Sequence, residues 1–200
     1  MMNNPPKVLL FDLGGVVLPW VGPEALAASH CLTRAEVIAR FEASDIFNAY
    51  ERGEVGDAVF TAELARLFDL GDVDIAALWN SWVHPPFPDV IEALAELKSK
   101  YTLACLSNTN ALHWAHVNTL IDTAQMFHHA YASHEINLAK PDPEAYRFVL
   151  QKMVVAAEDV WFFEDTTVNI ESAREIGLTV HAVDRKFGVI PVLKNLGLIA

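Results

Sequence analysis

The chain has 200 residues, 52% of them hydrophobic, which suffices for a substantial core in one domain, or one domain with an insertion, and argues against disorder. A formal net charge of −12 argues against a nucleic-acid binder, which would normally show a basic face, and an anionic substrate would need local cations or a metal. No stretch approaches ~20 uninterrupted apolar residues, and the opening MMNNPPK carries no apolar signal segment. A cytoplasmic protein with no membrane partner is therefore expected, with Cys31 and Cys105 as buried thiols of a reducing compartment.

Val8–Phe11 is a short branched and aromatic run without alternation, the pattern of a strand covered on both faces in a parallel sheet. It runs into Asp12 and then Gly14-Gly15. A carboxylate at the end of a buried strand either faces the ligand crevice of an open α/β sheet or bonds local amides in a turn, and this stretch alone supports both. The glycines would let main-chain groups come close to an ion or phosphate.

From Gly22 to Val83 apolar residues recur at helical spacing, which predicts four or five helices. Thr33 and Glu36 form a capping-box signature, and Asp57 or Asp72 could start later helices. With no strand pattern here, residues 20–84 read as a helical-bundle cap inserted into an α/β core made of residues 1–19 and 85–200. Glu51-Arg52-Gly53-Glu54 is either a solvated turn or a charged cap contact, with Trp20, Phe47 and Tyr50 as further rim positions. Trp79 and Trp82 read as cap core.

Pro85-Pro86-Phe87-Pro88 ends the insertion as a stiff hinge. A helix is expected over Asp89–Lys98, a strand over Tyr101–Leu106, helical segments over Ala111–Phe127 and a brief strand over Ala130–Ser133. Lys140-Pro141-Asp142-Pro143 precedes a helix over Glu144–Lys152; prolines could hold the Lys140 ammonium toward the sheet edge, though a lone lysine before a helix is ordinarily exposed. A strand over Val160–Phe163 ends in Glu164-Asp165, with Asn169 four residues on. Thr179–Val183 and Ile190–Leu196 supply a fifth strand and a closing helix. The alternation predicts an α/β, doubly wound, Rossmann-like parallel sheet.

If the strands are parallel, Asp12, Ser107 with Asn108, Lys140, Glu164, Asp165 and Asn169 gather at one edge. Those residue types suit phosphoryl transfer: a carboxylate nucleophile, a hydroxyl and an ammonium for the phosphoryl oxygens, and acids to hold Mg²⁺ against the carboxylate–phosphate repulsion. The adjacent carboxylates Glu164 and Asp165 repel each other unless a cation or proton intervenes. His113 with His116, or His128 with His129, lack a second pair at zinc-site spacing and are expected on helix or loop surface.

Four stretches, FDLGGVV, LACLSNT, AKPDPEAY and VWFFEDTTVN, with helices inserted after the first, resemble the motifs of the haloacid dehalogenase superfamily along nearly the whole chain. FNAYERGEV, LSNTNALH and FFEDTTVNIESA are similar to sugar-phosphate phosphatases related to bacterial α-D-glucose-1-phosphate phosphatase. The resemblance implies Asp12 as nucleophile, Ser107 and Lys140 as phosphate ligands, and Asp12, Asp165 and the Gly14 carbonyl as Mg²⁺ ligands. Asn169 would then support the metal indirectly, and Glu164 stands where relatives often carry aspartate. Ser107, Asn108, Lys140, Glu51 and Arg52 are the expected substrate contacts.

Most phosphatases of the superfamily carry a second aspartate two positions after the nucleophile, where this chain has Gly14. A glycine cannot do acid–base work, worth ~10²–10⁴-fold. A good leaving group, such as an anomeric sugar oxygen, would make the loss tolerable, and Glu51 is the first candidate to serve instead. Two alternatives remain: a metal-free 2-haloacid dehalogenase, whose first motif LGGVV matches poorly, and a catalytically silent phosphate- or partner-binding protein.

Overall fold

The computed structural model describes residues 5–29 and 32–200. Cys31 lies outside them; Cys105 is fully buried, and burial pushes its thiol up to about 12. Five parallel strands form the sheet, in the order β3-β2-β1-β4-β5. They are β1 (Val8–Phe11), β2 (Thr102–Ser107), β3 (His129–Ala132), β4 (Val160–Glu164) and β5 (Thr179–Ala182). β1 lies between β2 and β4, so the chain winds outward from it in both directions, and the crevice beyond its carboxyl end is the switch point where such sheets bind ligands.

Helices cover both faces. Five stand between β1 and β2's approach helix: α1 (Gly22–Ser29), α2 (Arg34–Ser44), α3 (Ile46–Glu51), α4 (Asp57–Phe68) and α5 (Ile75–Asn80). The remainder are α6 (Val90–Lys98), α7 (Ala111–Leu120), α8 (Thr123–Met126), α9 (Ser133–Ile136), α10 (Pro143–Met153), α11 (Thr167–Glu175) and α12 (Ile190–Asn195).

The unalternating β1 run has a simple cause. Leu9 and Phe11 enter one core with Leu94, Leu97 and Leu193, while Val8 and Leu10 enter the other with Tyr146, Val149 and Ile170. Both sets are buried, so the period-2 alternation of side chains leaves no polar trace in the sequence. α1–α5 close around a third apolar cluster that includes Phe41, Tyr50, Phe60, Leu64, Trp79 and Trp82. Trp20 bridges antiparallel to Val83, and the Val21 amide donates to the Trp82 carbonyl at 2.9 Å, so both chain crossings into the inserted helices run side by side.

Several local expectations shift. The Thr33–Glu36 capping box forms in full at α2. Asp57 starts α4, with Gly56 at the cap position, whereas Asp74, not Asp72, caps α5 by accepting from the Ala77 amide. The Ala111–Phe127 segment breaks at Ile121, whose backbone is extended (φ −137°, ψ 139°), and Asp122 caps a new helix. Among the described residues, no helix is long and apolar enough to cross a membrane.

Candidate active site

The three strands that meet the switch point deliver four polar groups. β1 hands the chain to Asp12, β2 ends in Ser107, and β4 ends in Glu164 with Asp165 next; all four side chains are buried. Lys140 joins them from the loop before α10, 3% exposed, so its four-carbon stem is packed and its ammonium is aimed. The Lys140 Nζ lies 2.9 Å from Asp12 Oδ1 and 2.7 Å from Glu164 Oε2. The expectation that prolines hold this lysine to the sheet edge is met in position, but the side chain that fixes it is Asn108. Its Oδ1 accepts from the Lys140 amide at 2.8 Å, and its Nδ2 donates to the Lys140 carbonyl at 2.7 Å. Asn108 thereby spends both ends of its amide on the lysine's backbone.

Glu164 is similarly committed. One oxygen takes the Lys140 ammonium while Oε1 accepts the amides of Asp165 and Thr166 at 3.1 and 3.0 Å. These donors hold the Glu164 carboxyl below its usual range despite burial, Lys140 contributing most. Burial instead raises Asp12; Lys140 opposes the rise, and Glu164 and Asp165 add to it. Burial likewise raises Asp165, against the Arg185 guanidinium, which pairs with Oδ2 at 2.8 Å. Crowded carboxylates in a buried site are the conflict that a cation resolves.

Asp12, Glu164 and Asp165 each offer an oxygen within 4.8 Å of the others. Glu164 already takes one ammonium and two amides, while Asp12 meets Lys140 and Asp165 meets Arg185. Hard oxygen donors fit Mg²⁺. Gly15 makes room for this arrangement: its φ is +80°, and a Cβ there would collide with Asp165 Oδ2. Gly14 packs differently, since a Cβ on it would stand 3.4 Å from Trp20 Cβ.

A cavity of about 310 Å³ opens above these groups. Asp12, Gly14, Ser107, Asn108, Lys140, Asp165 and Asn169 line it from the sheet side; Trp20, Phe47 and Glu51 line it from the inserted segment. Other expected residues lie elsewhere. Arg52 is drawn away by Glu54 at 2.6 Å and Asp45 at 3.5 Å and lines a neighbouring cavity with Glu51. Tyr50 is no rim residue: it is 1% exposed, stacks on Phe60 with centroids 4.1 Å apart, and its hydroxyl donates to Asp57 at 2.6 Å.

His113 also departs from expectation. It is 6% exposed rather than on the surface, lines the cavity and stacks on Trp79 with centroids 4.8 Å apart. Its Nε2 sits 2.9 Å from the Trp79 carbonyl, and the Trp79 indole N–H donates to Asn110 Oδ1 at 3.2 Å. Burial pulls the imidazole down to about 4, so it is neutral and donates through Nε2. Sequence reasoning missed this pair and Arg185, because each depends on contacts between distant segments; the Trp79 and His113 aromatic rings at helical positions read only as core or surface.

Residues 6–177 match the haloacid dehalogenase-like hydrolases. The chain belongs to that family. It is 24% identical over 182 residues to a D-ribitol-5-phosphate phosphatase of Bacteroides thetaiotaomicron, covering 86% of this chain and 88% of that one. It is 24% identical over 196 residues to the drimenol cyclase drtB of Aspergillus calidoustus, where it spans 95% of its own length but only 36% of the relative. Among solved structures, the HAD-family enzyme bt-2542 of Bacteroides thetaiotaomicron, in complex with magnesium and inorganic phosphate, superposes with a TM-score of 0.76 at 26% identity, covering 88% of this chain and 93% of that one.

Proposed function

We propose that this hydrolase is a Mg²⁺-dependent phosphatase of small phosphorylated metabolites, acting through an aspartyl-phosphate on Asp12. The observation that carries the reading is the Lys140 ammonium, buried between Asp12 and Glu164 on the sheet side of the cavity, with the lysine's backbone clamped by Asn108. Glu164 balances one unit of charge on Lys140, so the lysine stays protonated and faces the nucleophile and the incoming phosphoryl oxygens together. Asp12, Asp165 and the Gly14 carbonyl would hold Mg²⁺, with Asn169 in support, and the ion would supply positive charge against the dianionic ester.

Asp12 attacks phosphorus while Ser107 and Lys140 hold the phosphoryl oxygens; the phosphorus–oxygen bond to the alcohol breaks as the acyl-phosphate bond forms. Water then attacks the same phosphorus and releases phosphate with Asp12 restored. Residues 20–84 act as the cap, carrying Trp20, Phe47 and Glu51 over the site and keeping bulk water from the acyl phosphate.

Sugar phosphates, with α-D-glucose 1-phosphate as the representative, are the substrate class suggested by the sequence motifs and by a leaving oxygen that tolerates Gly14. A second reading is favoured by the cap's apolar interior. Trp20 and Phe47 also line a second cavity of about 180 Å³ with Ile38, Phe41 and Trp82, and the buried Trp82 indole N–H has no hydrogen-bond partner among the described residues. Such a compartment suits a phosphomonoester of an apolar alcohol bearing one acceptor.

Phosphate release from sugar, polyol, alkyl and aryl phosphates, with Mg²⁺ or EDTA and with an Asp12→Asn control, tests all of this. Mg²⁺-dependent release abolished by Asp12→Asn supports the phosphatase, and the order of the panel chooses between polar and apolar alcohols. Absence of release from every ester, with halide liberated from a 2-haloacid, would replace it with the dehalogenase reading.

A further inference from the structure

Gly14 leaves the leaving-group side of the site without an acid, and Trp20 stands beside it, its Cβ 3.4 Å from where a Cβ on residue 14 would be. The cavity's other titratable groups are each committed. Lys140 is shared by two carboxylates, Asp165 is paired with Arg185, and His113 donates to the Trp79 carbonyl. Glu51 alone among them lines the cavity with a carboxyl that has neither a hydrogen-bond nor an ion-pair partner among the described residues.

Its position is held from below. Glu51 ends α3, and the turn that follows is docked on the sheet domain: Asn137 Nδ2 donates to the Arg52 carbonyl at 2.8 Å. Gly53, at φ +70°, lies so near the His134 carbonyl that a Cβ would strike it. Arg52 itself pairs with Glu54 and Asp45 and not with the Glu51 carboxyl.

We propose, resting on the phosphatase reading, that Glu51 is the catalytic acid and base that Gly14 cannot supply. In the first step the protonated carboxyl gives its proton to the leaving oxygen as the bond from phosphorus to that oxygen breaks and the bond to Asp12 forms. In the second step the Glu51 carboxylate takes a proton from the water whose oxygen attacks phosphorus; the bond to Asp12 breaks, phosphate departs and Glu51 is protonated again. Burial raises this carboxyl to about 7, with Lys140 and then Arg52 opposing, so both forms are populated near neutrality.

The test compares Glu51→Gln with wild type on an alkyl phosphate and on 4-nitrophenyl phosphate, whose leaving group needs no proton. For the alkyl ester kcat/KM should fall by ~10²–10⁴. For the nitrophenyl ester kcat/KM should stay within about threefold, while kcat falls and nitrophenol appears in a burst stoichiometric with enzyme, because only the second step is then slowed. Glu51→Asp should recover part of the alkyl-ester rate. Equal losses on both esters, or no loss on either, would overturn the role of Glu51 while leaving the phosphatase intact. Wild-type enzyme inactive with Mg²⁺ toward both esters and toward every sugar phosphate would overturn the phosphatase reading itself.

Discussion

Gly15 and Asp165 are in such close contact that no side chain fits between them: the Asp165 carboxylate stands where a Cβ on residue 15 would project, and Arg185 closes the other side. Two residues 150 positions apart in the chain are thus matched, one lacking a side chain so that the other can approach Asp12.

Gly15→Ala should therefore damage the site twice. Its φ of +80° costs an L-residue roughly 1–2 kcal/mol, and the new methyl displaces Asp165. The expected result is a lowered urea midpoint with a Mg²⁺ requirement shifted to at least tenfold higher concentration. Isothermal titration with Mg²⁺ and a denaturation curve read the two effects separately. Unchanged Mg²⁺ affinity would show that Asp165 is not a ligand.

Lys140 and Glu164 form a buried pair, 1% and 0% exposed at the side chain. Removing one partner leaves the other charge without compensation, which costs roughly 3–5 kcal/mol, whereas removing both charges is often near neutral. Lys140→Met should be strongly destabilised and inactive. Lys140→Met with Glu164→Gln should regain much of the stability and none of the activity. Chemical denaturation and phosphate-release assays on the single and double variants measure the separation.

His113 makes folding sensitive to acid. Its folded value of about 4 lies below the ordinary 6.5, so between those values the unfolded chain binds a proton that the native chain does not. Stability contributed by the neutral imidazole is full above about 6.5 and is lost as pH falls toward 4, by about 3 kcal/mol in all. Denaturation midpoints at pH 7.5 and 5 should differ less in His113→Gln than in wild type.

Glu51 should set the alkaline limb of kcat/KM. The first step needs its protonated form, so activity should decline above pH of about 7, and the limb should be missing in Glu51→Gln. The charges that share a cavity with this carboxyl are Lys140, Asp12, Asp165 and Arg185 in one and Asp142 and Arg52 in the adjoining one; the helices packed against α3 carry Asp57 on α4 and His134 and Glu135 on α9. A pH–rate profile of both proteins with an alkyl ester is the measurement. A limb that persists in Glu51→Gln belongs to another of these groups.

Much of this protein is decided along the chain itself. Buried runs such as Val8–Phe11 and Val160–Phe163 suit strands of a covered parallel sheet, and in parallel strands the polar residues that end them, Asp12 and Glu164-Asp165, lie at one edge. Local bonds, such as the Thr33–Glu36 capping box, are equally legible, because donor and acceptor are three residues apart. Tertiary structure alone decided the rest. Asn108 holds Lys140 across 32 positions, Arg185 reaches Asp165 across 20, and Trp79 and His113 meet across 34. No periodicity encodes such pairings: they depend on where separate elements pack, and a polar side chain's partner is chosen only once the apolar surfaces have docked.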